Sequence, residues 1–223
     1  MLPMLICFGV PLLLAIYAQG LVKIRYAKAK QQPASITGAA AARQILDSAG
    51  LQHVEIEMIS GQLSDHYDPR AKVIRLSQDV YQGRTLAAVG IAAHEAGHAI
   101  QDAKNYLPLV MTQLAWPLAA FGSNFSFILL FIGALMHIMG LVLAGVILFG
   151  IVALYQIINL PVEFNASNRA KQQLSSLGIV NNSDLACVRG VLGAAALTYV
   201  AAMLTALLQF LYYLMIFFGG NRE

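Results

Sequence analysis

Four stretches, at about residues 4–22, 114–136, 138–160 and 191–218, are apolar and contain no Asp, Glu, Lys or Arg. As helices, each is long enough to cross about 30 Å of hydrocarbon. Between the first two the pattern changes. SITGAAAARQILDSAGL carries apolar residues at helical spacing and ends near Gly50, which predicts a helix. VEIEMI alternates Val54, Ile56 and Met58 against Glu55 and Glu57 and predicts a half-buried strand, with KVIRLS a second strand. Thr85 is a candidate N-cap for a further helix, in which the small apolar run LAAVGIAA precedes HEAGHAIQ and the polar QDAKN closes the segment.

The expected fold is mostly α: a four-span transmembrane helical protein with a small α+β unit in the order helix, strand, strand, helix. The expected division is an N-terminal anchor at 1–22, the α+β unit at 23–113, a transmembrane hairpin at 114–160, a short extramembrane segment at 161–190 and a last transmembrane helix at 191–223. The first run reads as an uncleaved anchor, because MLPMLICFGV has no basic residue ahead of its apolar segment and the positives KIRYAKAK follow it. The alternative, a cleaved signal peptide, leaves three spans.

Composition supports the membrane reading. Hydrophobic residues are 58% of the chain and charged ones 11%, against about 25% charged in an ordinary soluble domain. Lys23, Arg25, Lys28 and Lys30 follow the first span, and Arg169, Lys171 and Arg189 lie between the third and fourth, so both segments are expected in the cytoplasm. The link around His137 has no charge, as suits a translocated turn. The net charge of +3 is explained by this flanking bias. No soluble segment interleaves basic and aromatic residues, which argues against nucleic acid. Cys7 and Cys187 lie in different environments and form no C-x-x-C motif.

The chemistry concentrates in HEAGH. In a helix His94 and His98 stand one above the other and can reach one ion, while Glu95, rotated about 100°, is placed beside that ion as a general base for water. Gly90 and Gly97 cost the helix about 1 kcal/mol each, which points to close packing or access there, or simply to a kink. After the third span and Pro161, VEFNASNRAKQQL has helical character and contains Glu163. Two crossings separate His98 from Glu163, so this carboxylate returns to the side of the histidines. GQLSDHYDPRA, between the strands, has two readings. It is a solvated hairpin loop at Asp68-Pro69, or it brings His66, Tyr67 or Asp68 to the metal or substrate. A strand leading into a metal helix also offers an edge to which an extended peptide can add.

HEAGHAIQ, with SDHYDPRAKVIRLS before it and LPVEFNASNRA after it, resembles the YugP-like family of bacterial membrane neutral zinc metallopeptidases. The likeness runs from TGAAAARQILDSAGL to PVEFNASNRA. More distantly the chain is similar to HtpX-type and CAAX-prenyl-type membrane proteases. The resemblance implies a zinc (Zn2+) endopeptidase of the inner bacterial membrane, with His94, His98 and Glu163 as ligands and Glu95 as catalytic base. Its substrates would be proteins or peptides, including membrane proteins in quality control or processing. Related enzymes often carry Asp four residues after the ligand glutamate; here Ser167 stands there. Asp102, one turn after His98, is either a substitute for it beside the metal or a solvated residue near the helix end. His66, Tyr67, Arg70 and Arg75 are candidates for stabilising the oxyanion.

Two rivals remain at this stage. An intramembrane protease is disfavoured, because only eight apolar residues, Leu86 to Ala93, precede His94 and no N-x-D-G segment follows. A non-catalytic membrane scaffold with a structural metal needs a fourth protein ligand, which His66 or Asp68 would supply.

Overall fold

The computed structural model describes residues 2–220. It is mostly helical: α1 (Leu5–Lys30), α2 (Gly38–Ser48), the single turn α3 (Gln78–Tyr81), α4 (Leu86–Ala103), α5 (Leu107–Leu135), α6 (Met139–Ser176) and α7 (Asn182–Gly220). Three short strands accompany them: β1 (Glu55–Ile59), β2 (His66–Asp68) and β3 (Val73–Ser77). Four helices, α1, α5, α6 and α7, are long and apolar enough to cross a membrane. The chain divides into two compact units. One takes residues up to Ala18, Val110–Pro161 and those from Thr198; the other takes Gln19–Leu109 and Val162–Leu197.

In the first unit the helices meet through small residues. A Cβ on Gly122 would stand 2.8 Å from the Leu148 carbonyl oxygen, and one on Gly133 would stand 2.7 Å from the Val142 nitrogen. Helices that associate in lipid, where apolar side chains gain nothing by leaving solvent, commonly pack this closely. Leu13, Phe127, Phe131 and Ile147 are exposed, a surface suited to lipid and not to water. His137 takes φ 56 between α5 and α6, so the uncharged turn is a left-handed helix stop.

The second unit holds the polar chemistry. Thr37 caps α2 by accepting from the Ala40 amide, and Gly50 (φ 75) follows its end, as the pattern predicts. β3, buried at Val73, Ile74 and Leu76, is the centre of a three-stranded sheet. It pairs parallel with β1 and antiparallel with β2. The predicted pair of strands joined by a hairpin loop is therefore corrected. Parallel neighbours cannot be joined by a tight turn, and residues 60–72 use the room of the crossover to lay His66–Asp68 along β3 as an edge strand. Three polar residues hid this strand, because their partners come from tertiary pairing: Asp68 Oδ2 accepts from Arg75 (2.6 Å) and the Tyr67 hydroxyl donates to Asp102 Oδ2 (2.6 Å).

Thr85 accepts from the Ala88 amide and starts α4. The small residues Ala88, Ala92, Ala93, Ala96 and Ala99 are all buried. α2 and the sheet pack against α4 around Ile45, Leu46, Ile74, Leu76 and Val89, with Leu174 and Val188 from α6 and α7 in the same core. Helix α6 runs through Pro161 without a break. A proline there removes one backbone hydrogen bond, and the buried residues that follow it, Val162, Ala166 and Ala170, hold the helix on.

Candidate metal centre

The centre is assembled by one close helix contact. A Cβ on Gly97 would stand 2.6 Å from the Ala166 carbonyl oxygen, so only a residue without a side chain lets α4 and α6 approach this far. Gly90 meets Val188 in a similar way, with a Cβ there 3.0 Å from Cγ1. Of the readings open for these two glycines, close packing is the one observed. It sets the buried Glu163 of α6 beside the histidine face of α4.

His94 Nε2 lies 3.2 Å from Glu163 Oε2 and 3.2 Å from His98 Nε2, and His98 Nε2 lies 3.7 Å from the same carboxylate oxygen. Among the described residues, His94, His98 and Glu163 are the group of three donors close enough to hold a metal ion. Donors about 2.05 Å from a tetrahedral zinc stand about 3.3 Å apart, so the observed triangle has the size of one face of a zinc tetrahedron. The imidazole rings are nearly perpendicular, at 84°, with their Nε2 atoms converging on one point.

The outer nitrogens are held as well. Ser167 Oγ is 3.2 Å from His94 Nδ1, and Gln101 Oε1 is 3.0 Å from His98 Nδ1. Gln101 is fully buried, and its Nε2 donates to Val162 O (2.8 Å) and Asn165 Oδ1 (3.1 Å). Its amide nitrogen is thereby committed, so its Oε1 accepts from His98 Nδ1–H, which leaves Nε2 as the ring nitrogen at the centre, to be taken by a proton or by a metal ion. Arg169 Nε in turn donates to Asn165 Oδ1 (2.7 Å). Burial alone would keep His98 neutral. The hydrogen bond to Glu163 and the charges of Glu95 and Glu163 outweigh burial and carry its pKa up to about 9. The cluster therefore draws positive charge to the point where the three donors meet.

Glu95 is buried on the same helix and close enough to His98 to act on its charge. Ser167 sits at His94, whereas Asp102 accepts from the Tyr67 hydroxyl (2.6 Å) and from Lys72 Nζ. Gln101, not Asp102, takes His98 Nδ1. Asp102 is thus neither beside the metal donors nor free in solvent; it ties α4 to β2. Burial and the Asp102 hydrogen bond raise the Tyr67 pKa, so the phenol stays protonated. His66 is exposed, with Nδ1 2.8 Å from Ser64 O. Arg70 is exposed in the turn, and Arg75 is taken up by Asp68 and Glu57. None of His66, Asp68, Arg70 or Arg75 belongs to the three-donor group.

Gln101 and Asn165 were missed from sequence. A signal existed: Gln101 is three residues after His98 on the same helical face and lies within HEAGHAIQ.

A family described as “putative neutral zinc metallopeptidase” matches residues 4–218. The chain belongs to this family. It is also 44% identical over 212 residues, 94% of each chain, to “Putative membrane protease YugP” of Bacillus subtilis (strain 168). No solved structure matches it. The family expected from the motifs is therefore the one found. Together with the four apolar helices, it makes this a multi-pass membrane protein of a metallopeptidase family that implies zinc.

Proposed function

We propose that the protein is a membrane-embedded zinc endopeptidase that cleaves peptide bonds of protein substrates at the cytoplasmic face of the inner membrane. The observation that carries this is the convergence of His94 Nε2, His98 Nε2 and Glu163 Oε2 on a triangle of zinc-ligand size, with both outer imidazole nitrogens engaged. Three protein donors suit a catalytic site, whereas a structural site is closed by four. Neither His66 nor Asp68 joins the three, which removes the support for a scaffold with a structural metal.

In this reading His94, His98 and Glu163 hold the ion, and Gln101 and Ser167 fix the two imidazoles in orientation. Bound zinc supplies a positive charge that polarises the peptide carbonyl and acidifies a water. Glu95 takes the proton of the attacking water and delivers it to the leaving amine. Burial of Glu95 keeps bulk water from competing for that proton. The substrate is a peptide segment, which fits a role in quality control or processing of membrane proteins.

Two variants of the full-length enzyme test the assignment. Glu95→Gln keeps stoichiometric zinc and loses peptidase activity, because the group is a base and not a ligand. Glu163→Ala loses zinc and activity together, by about 10-fold or more in affinity, while His66→Ala retains the metal. Full zinc occupancy in Glu163→Ala, or retained activity in Glu95→Gln, would remove the respective residue from its role.

A further inference from the structure

Lys171 on α6 and Arg189 on α7 line one cavity of about 500 Å³, together with Asn168, Gln172 and Ser175. The two cations stand close enough to repel each other. Arg25 of α1 is outside this lining but lies by the next residue of α7: a Cβ on Gly190 would be 3.6 Å from its Cδ and 3.8 Å from its Nη1. Among the described residues, Asp47, Glu57, Asp68, Asp79 and Asp102 each pair with a Lys or Arg elsewhere, and no carboxylate pairs with Lys171, Arg189 or Arg25.

The flanking bias of membrane proteins accounts for cations near helix ends, but not for two of them lining one concavity with no carboxylate paired to either. An anion held in the concavity would relieve the repulsion between them. The lining also selects the kind of anion. An ammonium, a guanidinium, two side-chain amides and a hydroxyl offer donors from several directions, which matches a tetrahedral group with several acceptor oxygens better than a flat carboxylate. The metal centre plays no part in it.

We propose that this cavity is a binding site for a phosphate group, carried by a phospholipid headgroup or by a soluble ligand. Position along the chain favours the lipid. Arg25 comes just after the apolar run ending near Val22, and Arg189 just before the one beginning at Val191. Lys171 lies about 15 Å along α6 from Pro161. Basic pockets at helix ends of this kind suit anionic headgroups.

The test uses the full-length protein in an uncharged detergent, titrated separately with phosphatidylglycerol, phosphatidylcholine and inorganic phosphate. The readouts are the melting temperature and deuterium uptake over residues 168–176. Phosphatidylglycerol is expected to raise the melting temperature and protect that segment. The double variant Lys171→Gln/Arg189→Gln should bind about 10-fold more weakly, the scale of a lost charged hydrogen bond. Ser175→Glu, which keeps both cations and adds a carboxylate to the lining, should show the same loss. Lys23→Gln/Lys28→Gln, removing the same charge elsewhere, should bind as the parent does. An equal response to inorganic phosphate assigns the site to a soluble phosphate ligand instead of a lipid. The proposal is overturned by no response to phosphatidylglycerol or inorganic phosphate, by a response to phosphatidylcholine equal to that to phosphatidylglycerol (bulk lipid alone), by a response that survives Lys171→Gln/Arg189→Gln, or by an equal loss in Lys23→Gln/Lys28→Gln.

Discussion

Gly97 and Ala166 bring two helices together backbone to backbone: a methyl group on Gly97 would meet the Ala166 carbonyl oxygen at 2.6 Å and its Cα at 3.2 Å. The contact lies one residue before His98 and three after Glu163, so the geometry of the three donors depends on it. Alanine favours a helix over glycine by about 1 kcal/mol, yet Gly97→Ala must force α4 and α6 apart. We expect zinc affinity to fall at least 10-fold, measured by competition with a chelator. Gly193→Ala, at a glycine with no atom within 4 Å of a built Cβ, is expected to bind zinc as the parent does. Equal affinity in a folded Gly97→Ala protein would show that the site tolerates the separation.

Gln101 should matter through His98 and not through substrate. Gln101→Leu removes the acceptor at His98 Nδ1 and the second donor to the Val162 carbonyl, and zinc binding is expected to weaken about 10- to 100-fold. Gln101→Glu keeps an acceptor for Nδ1–H and should retain more affinity than Gln101→Leu. Zinc dissociation constants for the two variants decide it, and the reverse order would argue for a purely packing role.

The β2 edge should be acid-sensitive. Asp68 is held at a pKa of about 2, first by the Arg75 hydrogen bond and then by the Ala71 and Arg70 amides. Because the folded value lies below the ordinary 3.8, the stabilisation is complete above that ordinary value and is lost as pH falls toward 2. The difference in melting temperature between parent and Asp68→Asn is therefore expected to be widest near pH 6 and to narrow between pH 4 and pH 2. A constant difference across that range would contradict the ion-pair account.

The proposed cytoplasmic orientation rests on the basic residues at 23–30 and 169–189. Single cysteines at Gln62 and Gln173, with Cys7 and Cys187 replaced, should resist an impermeant thiol reagent on intact cells and react after lysis. Labelling of both in intact cells would invert the topology.

Residue order alone determined the four helices long and apolar enough to span a membrane, because about 20 uninterrupted apolar residues have no stable place in water. It also determined helix α4 with its Thr85 cap, and the pairing of His94 with His98, because helical periodicity puts residues four apart on one face. These are local consequences of spacing and solvation. Tertiary structure decided what depends on residues far apart in the chain. DHYD is polar and short, and it became a strand only because β3 offers a free edge and Arg75 supplies a counter-charge to Asp68. Counting crossings could put Glu163 on the same side as the histidines, but its distance from His94 depends on how closely α4 and α6 pack at Gly97. Gln101 rather than Asp102 holds His98, although both follow that histidine within about one helical turn. The choice depends on which side chain finds partners across the interface: Gln101 meets Val162 and Asn165 of α6, whereas Asp102 is taken by Tyr67 and Lys72. Hydrogen-bond partners of this kind belong to the packed interface and leave no periodic trace in the sequence.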